Sequence, residues 1–174
     1  GYGYYQLSGG VLNTARLTTA GNNFAGATGV FVQTGGTMNV ATWSVIGHGS
    51  GNALVDISGG TYNAGGSFAL NHVANAYSVV NVRGSGLINR TAGTITLMQG
   101  NANSVNNVGI INLLSGGTIR TSTGGIAVGA GTGSSGNISL LNVNGGTLVT
   151  NAATTTLVGV FANAAHTATS GAYI

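Results

Sequence analysis

The chain has 174 residues, 33 of them glycine, with no proline and no cysteine, and only 3% carry a charge. Arg16, Arg83, Arg90 and Arg120 are the only strong bases and Asp56 the only acid, so the net charge of +3 reflects scattered arginines rather than a basic patch. Nucleic acid, which is held by many clustered cations, is thereby excluded as a partner, and so are a disulfide frame and a thiolate metal site. Hydrophobic residues make up 43%, the reverse of the apolar-poor, charge-rich composition of disordered chains.

In chain order, one phrase recurs: LSGGVLN from Leu7 to Asn13, QTGGTMN from Gln33 to Asn39, DISGGTYN from Asp56 to Asn63, VRGSGLIN from Val82 to Asn89, LSGGTIR from Leu114 to Arg120, and VNGGTLV from Val143 to Val149. Anchored on Gly10, Gly36, Gly60, Gly86, Gly117 and Gly146, the copies are 26, 24, 26, 31 and 29 residues apart, a spacing typical of solenoids. Before the glycines stand short alternating segments such as Val55-Asp56-Ile57, Val80-Asn81-Val82 and Leu141-Asn142-Val143, which put two apolar side chains on one face of a strand. After them comes a second short strand. A third apolar segment follows, for example Trp43-Ser44-Val45-Ile46-Gly47 or Phe68-Ala69-Leu70-Asn71, then a loop of variable length.

These signals predict an all-β fold: a parallel β-helix filling residues 1–174 as one domain, with about six turns of 24–32 residues and three short strands per turn. Glycine at the bends supplies positive φ and close backbone approach. Asn13, Asn39, Asn63 and Asn89 hold one position in four successive copies and are expected to form an amide ladder that ends at Arg120 and Val149. About six inward side chains at roughly 2 kcal/mol each cannot offset the backbone entropy of some 27 residues, at roughly 1–2 kcal/mol apiece. A lone turn therefore does not fold, and stacking is obligatory.

Neither end reads as a cap. The chain opens with a full copy at Tyr4-Tyr5-Gln6-Leu7, and Ser170-Gly171-Ala172-Tyr173-Ile174 reads as the start of another, with Tyr173 aligned to Tyr5. Tyr2, Tyr4, Tyr5, Tyr173 and Ile174 are accordingly expected at an end-to-end interface with copies of the same chain. The phrases YYQLSGGVLNT, VFVQTGGTMNV and LVDISGGTYNAGG resemble the autotransporter-associated β-strand repeat of secreted bacterial surface proteins. The resemblance implies a right-handed parallel β-helix, an extracellular or cell-surface location, and a role as a stalk, adhesin or fibre.

Chemistry is sparse. Carboxylate pairs for glycoside cleavage need two acids, and the chain has Asp56 alone, expected to be a solvated surface residue. The reading is therefore no enzyme, no cofactor and no apolar run long enough for membrane insertion. His48 and His72 fall at equivalent positions 24 residues apart and are the one weak metal candidate. Gly-x-Gly strings such as Gly47-His48-Gly49 have no lysine or helix to make a phosphate loop and are turns. Two functions are expected: a structural filament that stacks end to end, or an adhesive module whose later loops (Gly100 to Val108, Ala130 to Asn137, Phe161 to Gly171) contact a surface glycan or another cell.

Overall fold

A computed structural model describes residues 1–19, 25–99, 105–122, 124–128, 136–150, 158–159 and 171–173. Among them are seventeen strands and no helix. The first turn holds β1 (Tyr2–Leu7) and β2 (Val11–Thr19), the second β3 (Thr28–Gln33) and β4 (Thr37–Ile46). The third holds β5 (Asn52–Ile57), β6 (Thr61–Ala64) and β7 (Ser67–Leu70), the fourth β8 (Tyr77–Val82), β9 (Leu87–Arg90) and β10 (Ile95–Thr96). The fifth holds β11 (Val108–Leu114), β12 (Thr118–Thr121) and β13 (Ile126–Ala127), and the sixth β14 (Ile138–Asn144), β15 (Thr147–Thr150) and β16 (Val158–Gly159). A further strand, β17 (Gly171–Tyr173), lies on β14.

Each strand pairs in parallel with its counterpart one turn away. The first strands form a seven-stranded sheet in the order β1-β3-β5-β8-β11-β14-β17. The second and third strands form a ten-stranded sheet in which β4 joins both stacks. This is a parallel β-solenoid, and it is built by residues that repeat at the same offset from each glycine pair. Val55 pairs with Phe31 on one side and Val80 on the other, and Ile111 and Leu141 continue that column. Met38, Tyr62, Ile88 and Ile119 form a second column, and Ile57, Val82 and Leu113 a third. All these side chains are essentially inaccessible to solvent and belong to one apolar cluster running from Leu7 to Leu141. Alternation along each strand turns every second residue inward.

The three-strand turn holds only from the third turn onward. In the first two, the second and third strands run on as one, β2 and β4, with a register shift between Thr14 and Arg16. The physical reason lies at the second bend. The third turn has Gly65-Gly66 there, and a Cβ on Gly66 would overlap the carbonyl of Thr42. The first two turns have Ala15-Arg16 and Ala41-Thr42, which keep an extended backbone instead.

The anchor glycines stack as a backbone ladder: Thr37 N donates to Gly10 O, Thr61 N to Gly36 O, Leu87 N to Gly60 O, Thr118 N to Gly86 O and Thr147 N to Gly117 O. Their conformations are not uniform, which corrects the expectation of positive φ at every anchor. Gly10, Gly36 and Gly60 have φ of 74°, 70° and 78°, but in the next three turns the left-handed residue is Gly84, Gly116 or Gly145. There Gly86 and Gly117 are needed for close approach, since a Cβ on either would strike the backbone carbonyl of Ile57 or Val82.

Candidate functional site

Three features could carry function: the outward amide ladders, a histidine stack, and the open face of the first turn. Asn39 Nδ2 donates to Asn13 Oδ1 at 2.7 Å, Asn63 to Asn39 at 2.8 Å, and Asn89 to Asn63 at 2.8 Å. The column then passes to Arg120 and Val149, which cannot continue it. Parallel in-register pairing repeats each amide one rung away, so one N–H of every donor is used along the axis. Replacing Asn63 by alanine removes two of these bonds. At about 0.5–1.5 kcal/mol per bond, we expect roughly 1–3 kcal/mol lower stability in a urea titration, and Asn13→Ala, which removes one, about half of that.

A second ladder escaped the sequence reading. Asn112 Nδ2 donates to Asn81 Oδ1 at 2.9 Å and Asn142 to Asn112 at 3.4 Å, on the outer face of the seven-stranded sheet. The signal was present in the recurring Val-Asn-Val, Ile-Asn-Leu and Leu-Asn-Val triplets. Asp56 occupies the same column, facing Asn81. It is not the freely solvated carboxylate expected. Its side chain is only 15% exposed and accepts two bonds from Arg83, from Nε at 3.0 Å and Nη2 at 2.8 Å. Arg83 follows the strand in the next turn, where Arg83 N also bonds to Ile57 O, so the pair clasps adjacent rungs.

His48 and His72 do stack on adjacent rungs, with ring centroids 4.7 Å apart and planes 10° from parallel. Trp43 meets both edge to face, at 5.0 and 5.2 Å, and the Arg16 guanidinium lies 5.6 Å from the indole centroid. Among the described residues the pair remains two imidazoles with no third ligand. Zinc sites built from imidazole ordinarily take three or four ligands at ~2.0–2.1 Å. No group of three or more His, Cys, Asp or Glu that could hold a metal is found among the described residues; His166 lies outside them.

The stack is instead a proton-sensitive contact. Burial, and secondarily the neighbouring His48, lower the His72 pKa below its ordinary 6.5. The folded state therefore favours neutral His72. Its contribution is complete above pH 6.5 and is lost as pH falls through the window between 6.5 and the lowered value, because there the unfolded chain binds the extra proton. We expect stability to fall on acidification below about pH 6.5. Fluorescence of Trp43, the single tryptophan, should report the change. His72→Phe should flatten the profile.

Two buried polar side chains elsewhere bond to backbone carbonyls. Arg90 points inward beneath Ala64 and donates from Nη1 to the carbonyls of Ala64 and Gly65, at 3.0 and 3.1 Å. Burial lowers its pKa. Gln33 Nε2 spans from the carbonyl of Gly36 to that of Thr61.

Among the described residues no further rung lies over the first turn. A cavity of about 620 Å³ there is lined by Tyr5, Leu12, Leu17, Phe31 and Met38 among others. Tyr5 stacks on Phe31 with centroids 5.9 Å apart and planes 3° from parallel, yet its other face is open and the residue is 48% exposed. The expected end-interface residues divide at this point. Tyr5 continues the inward column, whereas Tyr2 and Tyr4 alternate with it on the outer face of the sheet. Tyr173 shares its register with Leu140, Ile110, Val79, Leu54, Val30 and Tyr4, not with Tyr5. Ile174 and most of the three long loops lie outside the described residues. No family model, curated protein or solved structure matches the chain.

Proposed function

We propose that this chain is a structural β-solenoid, one section of an extracellular fibre that grows by stacking parallel rungs end to end. The observation that carries the reading is the unbroken register: successive rungs lay the same core columns, and from Asn13 to Asn89 the same amide ladder, directly over one another, so that each rung is complementary to the next. An inner strand such as β5, between β3 and β8, is hydrogen-bonded along both edges. Such an edge is a template for another strand. The surface complementary to it, in both hydrogen bonding and column spacing, is another rung of the same kind. Scarce charge favours this contact, since little like-charge repulsion opposes it.

Electron microscopy with fibre diffraction of the purified chain tests the reading. Unbranched fibres with a meridional spacing near ~4.8 Å are expected, and Leu12→Asp with Leu17→Asp, which put charge on two half-buried core columns, should stop lengthwise growth. Discrete particles that never lengthen at any concentration would overturn it.

A further inference from the structure

The outer face of the seven-stranded sheet carries an apolar central column where a solvated sheet face is ordinarily polar. Its central outward column reads Tyr4, Val30, Leu54, Val79, Ile110, Leu140, one residue per rung in unbroken register. Beside it runs the mixed row Tyr2, Thr28, Asn52, Tyr77, Val108 and Ile138, in which Tyr2, Tyr77 and Ile138 are 71%, 45% and 46% exposed. The other flank is the row containing Asp56, Asn81, Asn112 and Asn142. We propose that this face is the lateral contact between two copies of the chain, packed sheet on sheet; the proposal rests on the fibre reading, to which it adds side-by-side pairing of columns.

Three properties of the face select a second copy as its occupant. Among the described residues its only charges are Asp56 and Arg83, which are already bonded to each other, so a charged partner finds nothing to pair with. A lipid surface is equally unsuited: a row of amides is costly to move from water into hydrocarbon, and among the described residues no unpaired cation on this face meets headgroups. Asparagine, by contrast, both donates and accepts, so an amide row is complementary to an identical row. A two-fold axis along the strands lays Tyr4 over Leu140 of the second copy and Asp56 opposite its Asn81. The ring-bearing end then meets the aliphatic end, in an isologous contact.

Area argues that pairing and stacking reinforce each other. Six rungs at ~4.8 Å and three outward columns ~7 Å apart make roughly 600 Å² per copy. That is below the ~800 Å² per partner of a standard stable interface. Two chains stacked in one column would present twice that area, so pairing strengthens as the column lengthens.

Width and length separate the outcomes in electron micrographs and sedimentation velocity. The wild-type chain should form paired columns, two sheets ~10 Å apart, with single columns rare. Leu54→Lys with Ile110→Lys should halve the width and leave length growth unchanged, while Thr118→Lys on another face should do neither. Leu54→Thr with Ile110→Thr, which keeps strand-favouring side chains, should weaken pairing in the same direction and guards against misfolding of the lysine variant. Single-width wild-type fibres, or paired fibres of the lysine variant with native circular dichroism, would overturn lateral pairing and leave the stacking reading intact. Pairs that never lengthen would overturn stacking alone, and monomers at every concentration would overturn both.

Discussion

Gly66→Ala should cost more than about 4 kcal/mol, the range reached only when backbone cannot relax around a new group. A Cβ at this position would lie within the van der Waals shell of Thr42 O, C and Cα, all of them main-chain atoms of the rung below. No side-chain rotation relieves that contact. Either the second bend of the third turn lifts away from β4, breaking the pairing of Trp43 through Ile46 with Ser67 through Leu70, or the column does not form. Gly9→Ala is the matched control, because a Cβ there meets nothing within 4 Å. Its effect should stay within ~0.5 kcal/mol, as for surface substitutions generally. Denaturant midpoints of the two variants measure the difference. Equal midpoints would show that the second and third turns are not in contact at this bend.

Tyr62→Ala should cost about 3–5 kcal/mol, the range for emptying an aromatic site in a packed core. Tyr62 is fully buried in the third turn, edge-on to Phe31 at 6.2 Å and to Phe68 at 5.8 Å, and so bridges all three inward walls of the solenoid. Its hydroxyl donates to Ser44 Oγ at 2.9 Å, and burial drives its pKa upward, so the phenol stays neutral across the working range. Tyr62→Phe separates packing from hydrogen bonding: it keeps the ring contacts and leaves the Ser44 hydroxyl without its donor, at about 1–3 kcal/mol. A Tyr62→Ala loss no larger than that of Tyr62→Phe would mean the ring does not fill the core.

The architecture was legible because parallel in-register stacking imposes one requirement on every turn. Each column must accept the same class of residue, so the glycine pair, the apolar triplets and Asn13, Asn39, Asn63 and Asn89 recur where the geometry recurs. Where a requirement can be met in two ways, the text of the sequence does not choose. Gly10 and Gly86 sit at the same ladder position, one for a left-handed backbone and the other for room against Ile57. Ala41-Thr42 and Gly65-Gly66 mark the same bend, yet only the second breaks the strand. Tyr4 and Tyr5 are neighbours in a tyrosine-rich segment, and their opposite faces became plain only from the pairing of Tyr5 with Phe31.

The amino-acid sequence alone determined the repeating rung, its inward and outward faces and its dependence on neighbours, because these follow from a two-residue strand period and from entropy that one turn cannot offset. Tertiary structure decided the rest. The meeting of Asp56 with Arg83, the face-to-face stacking of His48 and His72, and the continuous apolar stripe from Tyr4 to Leu140 are relations between turns. Side-chain direction across a rung depends on the packing of the layers above and below, which loops of unequal length bring into register only once the chain has coiled.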